Sequence, residues 1–287
     1  NNYNFTNNVI YNIGNIGINI AATSGTNYSL TNTIVIAAGQ NGATAGFSLN
    51  DLAGTFTNLT STSNQGTGFS ISDQTFTVVG SYNNFVAHAN STIGISFSAV
   101  TGQNNNPVAT FNNLTSYRNS TIGIGLSNVF TIALDTGSLF GNLQSNFTIG
   151  ATESDNVIIR NFAVNAGTTL TCPIGLNISG DTHEIYVDNT TFGTVTTHAT
   201  GDISVASANI FPRIVFRNSS FASTTTLANQ TSMTEGSFVS LTKINTTAGN
   251  HKTFKKYGTI IPDTVIFNSS TTSSRLTPNN ASSLNKL

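Results

Sequence analysis

The side chains able to do acid–base or cation chemistry are few, and most of the acids gather in one stretch: Glu153, Asp155, Asp181, Glu184, Asp188 and Asp202, with His183 among them. Paired carboxylates on one face are what general acid–base hydrolysis needs, and clustered ones also suit a hard cation. Asp155 and Asp181 stand 26 residues apart, so a chain that coils with about that period places one over the other. Asp155, Asp181, Glu184 and Asp188 are therefore the candidate catalytic set. The plainer account is that turns favour Asp and that six acids gathered by chance. His88, His198 and His251 lie far apart, with neither i, i+4 nor His-x-Glu spacing, so no metal site is expected. A single cysteine, Cys172, excludes a disulfide framework and any Cys-based zinc site. It precedes Pro173 at a turn and reads as a small buried filler. No Gly-x-Ser-x-Gly elbow is present. His251-Lys252-Thr253-Phe254-Lys255-Lys256-Tyr257 mixes bases with rings and reads as a solvated loop or a contact with a neighbouring chain. No cofactor is expected.

Composition sets the background for these few groups. Of 287 residues only 7% are charged, against about 25% in an ordinary globular domain. Asn accounts for 40 residues and Ser plus Thr for 78, about 41% of the chain together. A net charge of −1 leaves no electrostatic footprint for nucleic acid. Asn and Thr recur too often for an 18-residue apolar run, so membrane insertion is not expected either. With 19 Phe and 38% hydrophobic residues the chain does not have the composition of a disordered one. The 14 Asn-x-Ser/Thr triplets are close to what composition alone gives. The first residues, Asn1-Asn2-Tyr3, carry no signal core, and the last, Leu287, has no cap. Either a leader has been removed or this is a piece of a longer polypeptide, and the end at Leu287 leads to the second expectation.

Asn, Ser and Thr compete with the helical backbone, while the abundant Val, Ile, Thr, Phe and Tyr suit strands. An all-β chain follows. Its organisation is a repeat. One apolar–small–apolar unit recurs as Phe47-Ser48-Leu49, Phe69-Ser70-Ile71, Ile95-Ser96-Phe97, Ile124-Gly125-Leu126, Phe147-Thr148-Ile149, Leu176-Asn177-Ile178 and Ile203-Ser204-Val205. The steps between units run from 22 to 29 residues, and Gly46, Gly68, Gly94 and Gly175 precede four of them. A second series lies between. Thr55-Phe56-Thr57-Asn58-Leu59-Thr60 returns as Thr110-Phe111-Asn112-Asn113-Leu114-Thr115, and Asn161, Asn189 and Asn218 follow at steps of 28 and 29. Stacked one coil apart, those three amides would form an Asn ladder. A parallel β-helix accounts for the recurrence; a β-sandwich also has short strands every 8–12 residues but would not return like residues to like slots.

The stacked short strands with Asn-containing turns resemble the pectin-lyase-like right-handed β-helix, shared by polysaccharide lyases, surface adhesins and phage tail spikes. Arg275-Leu276-Thr277-Pro278-Asn279-Asn280-Ala281-Ser282, followed by Lys286-Leu287, resembles a segment near the end of β-helical virion proteins of tailed phages, where a further β-rich domain follows. The resemblance implies a virion appendage protein. The polygalacturonase-like set of Asn-Thr-Asp, Asp-Asp, Gly-His-Gly and Arg-x-Lys is missing from this chain.

The expected fold is thus all-β, a single-stranded right-handed parallel β-helix over residues 46–222. Irregular capping segments flank it at 1–45 and 223–287, the latter leading towards a further β domain. The expected role is a non-enzymatic structural or host-adhesion part of a phage virion, a tail spike or fibre. It would be extracellular, self-associated as a homotrimer, joined to other virion proteins and in contact with host surface glycans. The alternatives are a polysaccharide depolymerase built on the acidic region and a cell-surface adhesin or sheath glycoprotein.

Overall fold

The computed structural model describes residues 2–21, 27–42, 44–50, 53–73, 80–101, 109–150, 154–168, 172–179, 184–193, 198–206, 213–221, 228–230, 238–247, 252–254, 259–268 and 276–278. These form a parallel β-solenoid, with no helix among the described residues. Two columns of strands alternate along the chain. The short column holds Ile18–Ile20, Ala45–Leu49, Thr67–Asp73, Ile95–Thr101, the first half of Ile122–Phe140, Ser145–Ile149, Ile174–Ser179 and Gly201–Ala206. Its register is the one the repeat predicts. Phe47 lies beside Phe69, Phe69 beside Ile95, Ile95 beside Ile124, Ile124 beside Phe147, Phe147 beside Leu176 and Leu176 beside Ile203. Upstream of residue 46 the ladder continues, with Ile18 beside Phe47. Downstream, Ala228–Gln230, Lys252–Phe254 and Leu276–Pro278 extend the same column in parallel.

The long column runs through Asn27–Ile36, Gly54–Thr62, Ser81–His88, Ala109–Tyr117, the second half of Ile122–Phe140 and Asp155–Asn165. Each of these strands bends at a residue of one left-handed column, and Thr131 and Asn156 add a second such residue in the last two. Asn7, Asn32, Asn58, Asn84, Asn113, Thr136, Asn161, Asn189 and Asn218 form that column, with φ between 45° and 62°. Asn tolerates this conformation better than other side chains because its short amide bonds locally. The bend resets the alternation, so inward residues fall at one position, three later and five later. Phe56, Leu59 and Ser61 are inward in one coil and Tyr82, Phe85 and Ala87 in the next, all buried. Ring stacking continues through the core, with Phe47 4.7 Å from Phe69 and Phe69 5.2 Å from Phe85.

A second left-handed column turns each coil from the long strand towards the short one. Ala37, Ser63, Ala89, Arg118 and Gly141 have φ between 54° and 62°. Asn64, Asn90, Asn119 and Asn142 follow the last four and point inward, each no more than 1% exposed. Asn64 Nδ2 donates to Asn90 Oδ1 at 2.7 Å, Asn90 Nδ2 to Asn119 Oδ1 at 2.9 Å and Asn119 Nδ2 to Asn142 Oδ1 at 2.9 Å. The same oxygens also accept backbone N–H bonds from Asn64, Asn90 and Asn119. An interior amide ladder thus pairs polar groups that burial would otherwise leave costly.

Candidate functional site

The long strands carry the charged candidates in a single register. Asp135 pairs with Arg160, Arg160 with Asp188 and Asp188 with Arg217 across three successive coil steps. Acid and base therefore alternate along the solenoid face, one residue before the left-handed column. Arg160 Nε sits 2.9 Å from Asp135 Oδ2. Arg217 grips Asp188 with both ends of its fork, Nε to Oδ1 at 3.2 Å and Nη2 to Oδ2 at 2.7 Å. The Arg217 hydrogen bonds, with Asn218 in support, hold the Asp188 carboxyl below its ordinary range against the opposing effect of burial. Burial works against ionisation of Asp135, but the Asn161 amide and the Arg160 guanidinium outweigh it. Asp188 is thus held ionised by an arginine, the opposite of what a proton donor near neutral pH requires.

The remaining described acids of that stretch sit in two places. Asp155 Oδ1 accepts from the backbone N–H groups of Asn156 at 2.8 Å and Glu184 at 3.1 Å. Glu184 Oε2 accepts from Tyr186 Oη at 3.0 Å. Asp155 and Glu184 are therefore neighbours on adjacent coils. Asp188 lies four residues beyond Glu184 on the same strand, roughly 13 Å away, wider than the 5–9.5 Å of glycosidase carboxylate pairs. Asp202 lies in the interior, where its carboxylate meets His198 Nδ1 at 2.8 Å, both side chains fully buried. Asn146 joins that pair to the interior ladder, accepting from Asn142 and lying 3.1 Å from His198 Nε2. Glu153, Asp181 and His183 lie outside the described residues, as do Arg275 and residues 279–287. Among the described residues no three His, Cys, Asp or Glu side chains gather as a metal site would need.

Of the three amides expected to stack, Asn189 Nδ2 donates to Asn161 Oδ1 at 2.7 Å. Asn218 Nδ2 instead donates to Asp188 Oδ1 at 2.9 Å, one residue short of Asn189. The same short reach recurs at Asn113, which donates to Asn83 at 2.6 Å, and at Asn161, which donates to Asp135 at 2.7 Å. Upstream, Asn84 donates to Asn58 and Asn58 to Asn32, at 2.9 and 2.8 Å. Cys172 is buried, and desolvation pushes its thiol up to about 12, which removes it as a nucleophile. His88 stacks on Tyr117, which stacks on Phe140, with ring centres 4.8 and 4.7 Å apart. Burial first, and the nearby Arg118 charge second, lower the pKa of His88.

An open concavity among the described residues lies elsewhere. A groove of about 610 Å³ crosses the first strands of the long column, where Tyr3, Tyr28, Gly54 and Gly80 follow one another. Tyr3 and Tyr28 stand on its wall, rings stacked at 5.9 Å and 18°. Tyr28 pairs with Gly54 in the next coil, and a Cβ at Gly54 would collide with the Tyr28 backbone. Gly54 also has φ of 139°, which L side chains rarely adopt. The glycine is therefore required where the groove opens. Asn, Ser and Thr residues complete the lining, and no charged residue is among the described ones. Sequence reading missed this groove because its signal is one Tyr–Tyr–Gly–Gly column, spread over four coils and interrupted by loops.

No protein-family model matches this chain, no curated protein matches it, and no solved structure matches it.

Proposed function

We propose that this chain is a non-enzymatic structural and host-adhesion segment of a phage virion appendage, a tail spike or fibre. It works outside the cell as part of a homotrimer joined to other virion proteins. One observation carries the reading: an in-register parallel ladder from Ile18 to Ile203, through seven successive pairings, in a chain with almost no charge. At about 4.8 Å per coil those steps extend roughly 34 Å along one axis. A rod of this kind holds its outer amides and hydroxyls at fixed spacing, which suits repeated weak contacts with surface glycans and side-by-side packing without charge repulsion. The assignment to a virion draws on the resemblance of the 275–287 segment. Against the depolymerase alternative, Asp188 is engaged by Arg217 and Asp155 by backbone N–H groups.

The test is direct. Antibody raised against residues 1–221 should decorate an appendage of virions in electron micrographs, and the purified full-length protein should run as three chains by light scattering. A lone monomer found on no particle or surface contradicts the proposal. Release of reducing or unsaturated ends from capsular polysaccharide, lost in Asp155→Asn, would favour the enzyme instead.

A further inference from the structure

The geometry points to the groove over the first coils as a binding site for an uncharged oligosaccharide. This deepens the adhesion reading and rests on it. Tyr3 covers one face of Tyr28, and the next two positions of that column are Gly54 and Gly80, which set no side chain over the opposite face. An aromatic face therefore looks into the void that the two glycines leave. Tyr28 packs against the core behind it, so the platform is held in place before any ligand arrives. Asn2, Asn27, Ser29 and Ser81 line the groove around the platform and supply its polar groups. A pyranose has both complements: a C–H face for the ring and a rim of hydroxyls for the amides.

Charge decides against other ligands. A phosphate, a nucleic acid or an acidic glycan would meet no cation among the described residues that line the groove, and a purely apolar ligand would strip water from polar groups without replacing their hydrogen bonds. Size sets the scale. Three coil steps of about 4.8 Å give roughly 14 Å along the axis, room for a short oligosaccharide rather than a single sugar.

The test puts the full-length protein on an array of neutral and uronic-acid-containing oligosaccharides. Hits are then titrated by saturation-transfer NMR at about 50 and 500 mM salt. Neutral glycans should bind with little change between the two salts. Tyr28→Ala, which removes the platform, and Ser81→Trp, which fills the groove from an exposed position, should each weaken binding at least about tenfold. Far-UV circular dichroism and a thermal melt check that both variants fold, and the exposed Ser81 site keeps the test valid if Tyr28→Ala does not. If Ser81→Trp folds and binds as tightly as the parent, the groove is overturned while adhesion through another face stands. If no neutral glycan binds, or only acidic ones with steep salt dependence, the site is overturned as well. Antibody decoration of virions then decides the adhesion reading separately.

Discussion

Asn119 is fully buried and bonded on every side. Its Oδ1 accepts from the N–H and Nδ2 of Asn90, and its Nδ2 donates to Asn142 Oδ1 and Ser116 Oγ. Asn119→Ala strands those partners in the interior, at about 1–3 kcal/mol for each group left without a bond. Denaturant unfolding should show a loss of several kcal/mol. Asn58 is the contrast: exposed, in the left-handed region, with single bonds to Asn32 and Asn84. Asn58→Gly keeps the conformation and should cost no more than about 1 kcal/mol. Titratable residues give two acid windows. His88 has a lowered pKa when folded, so the unfolded chain binds its proton more readily and stability falls as pH drops below about 6.5. Asp135 and Asp188 are also lowered, but as acids they stabilise the fold above their ordinary range and lose that contribution only below about pH 4. A thermal melt series should therefore show a decline between pH 7 and 5 that His88→Gln flattens, and a second decline below pH 4 that it leaves unchanged.

The strand-sized units explain which parts of the sequence spoke clearly. In four coils the glycine before the inward apolar pair faces the interior ladder: a Cβ on Gly94 would press on Ser116 Oγ and come within 2.6 Å of Asn119 Nδ2. Gly68 stands in the same relation to Asn90, at 2.7 Å, and Gly123 to Asn142, at 2.5 Å. Gly94→Ala should therefore destabilise through the ladder. In a double-mutant cycle its effect should combine with Asn119→Ala to less than the sum, since both break the same contact. Full additivity would show that the glycine serves something else. The short strands were legible because Phe47, Phe69, Ile95 and their successors are the inward apolar pairs, and a solenoid repeats them in place. The left-handed bend was half legible, as recurring Asn58, Asn113, Asn161, Asn189 and Asn218. The partner choice of Asn218 was not, because Asp188 and Asn189 are adjacent and only geometry decides which oxygen the amide reaches. The interior ladder left a trace in Ser63-Asn64, Ala89-Asn90, Arg118-Asn119 and Gly141-Asn142, but these Asn residues are lost among 40. Acid spacing was the weakest signal. It set Asp155 over Asp181, which lies outside the described residues, and gave no warning that Asp202 turns inward to His198 or that Asp188 belongs to Arg217.

Across the whole chain, the solenoid is defined by parallel winding with constant register. Thr57, Asn83, Asn112, Asp135, Arg160, Asp188 and Arg217 occupy one column, each paired with the next. Phe69→Ala would cost about 3–5 kcal/mol in this fold or in any other that buries the ring, so stability alone does not test the winding. Distances do. Spin labels at positions 57 and 160, and in a second sample at 57 and 217, read the rise directly by pulsed dipolar spectroscopy, and the buried Cys172 thiol stays unlabelled. Four and six coil steps of about 4.8 Å predict separations near 19 and 29 Å, growing with the number of coils crossed. Equal distances, or a shorter one for the 57–217 pair, would mean that the chain doubles back on itself, and the solenoid with everything built on it would be wrong.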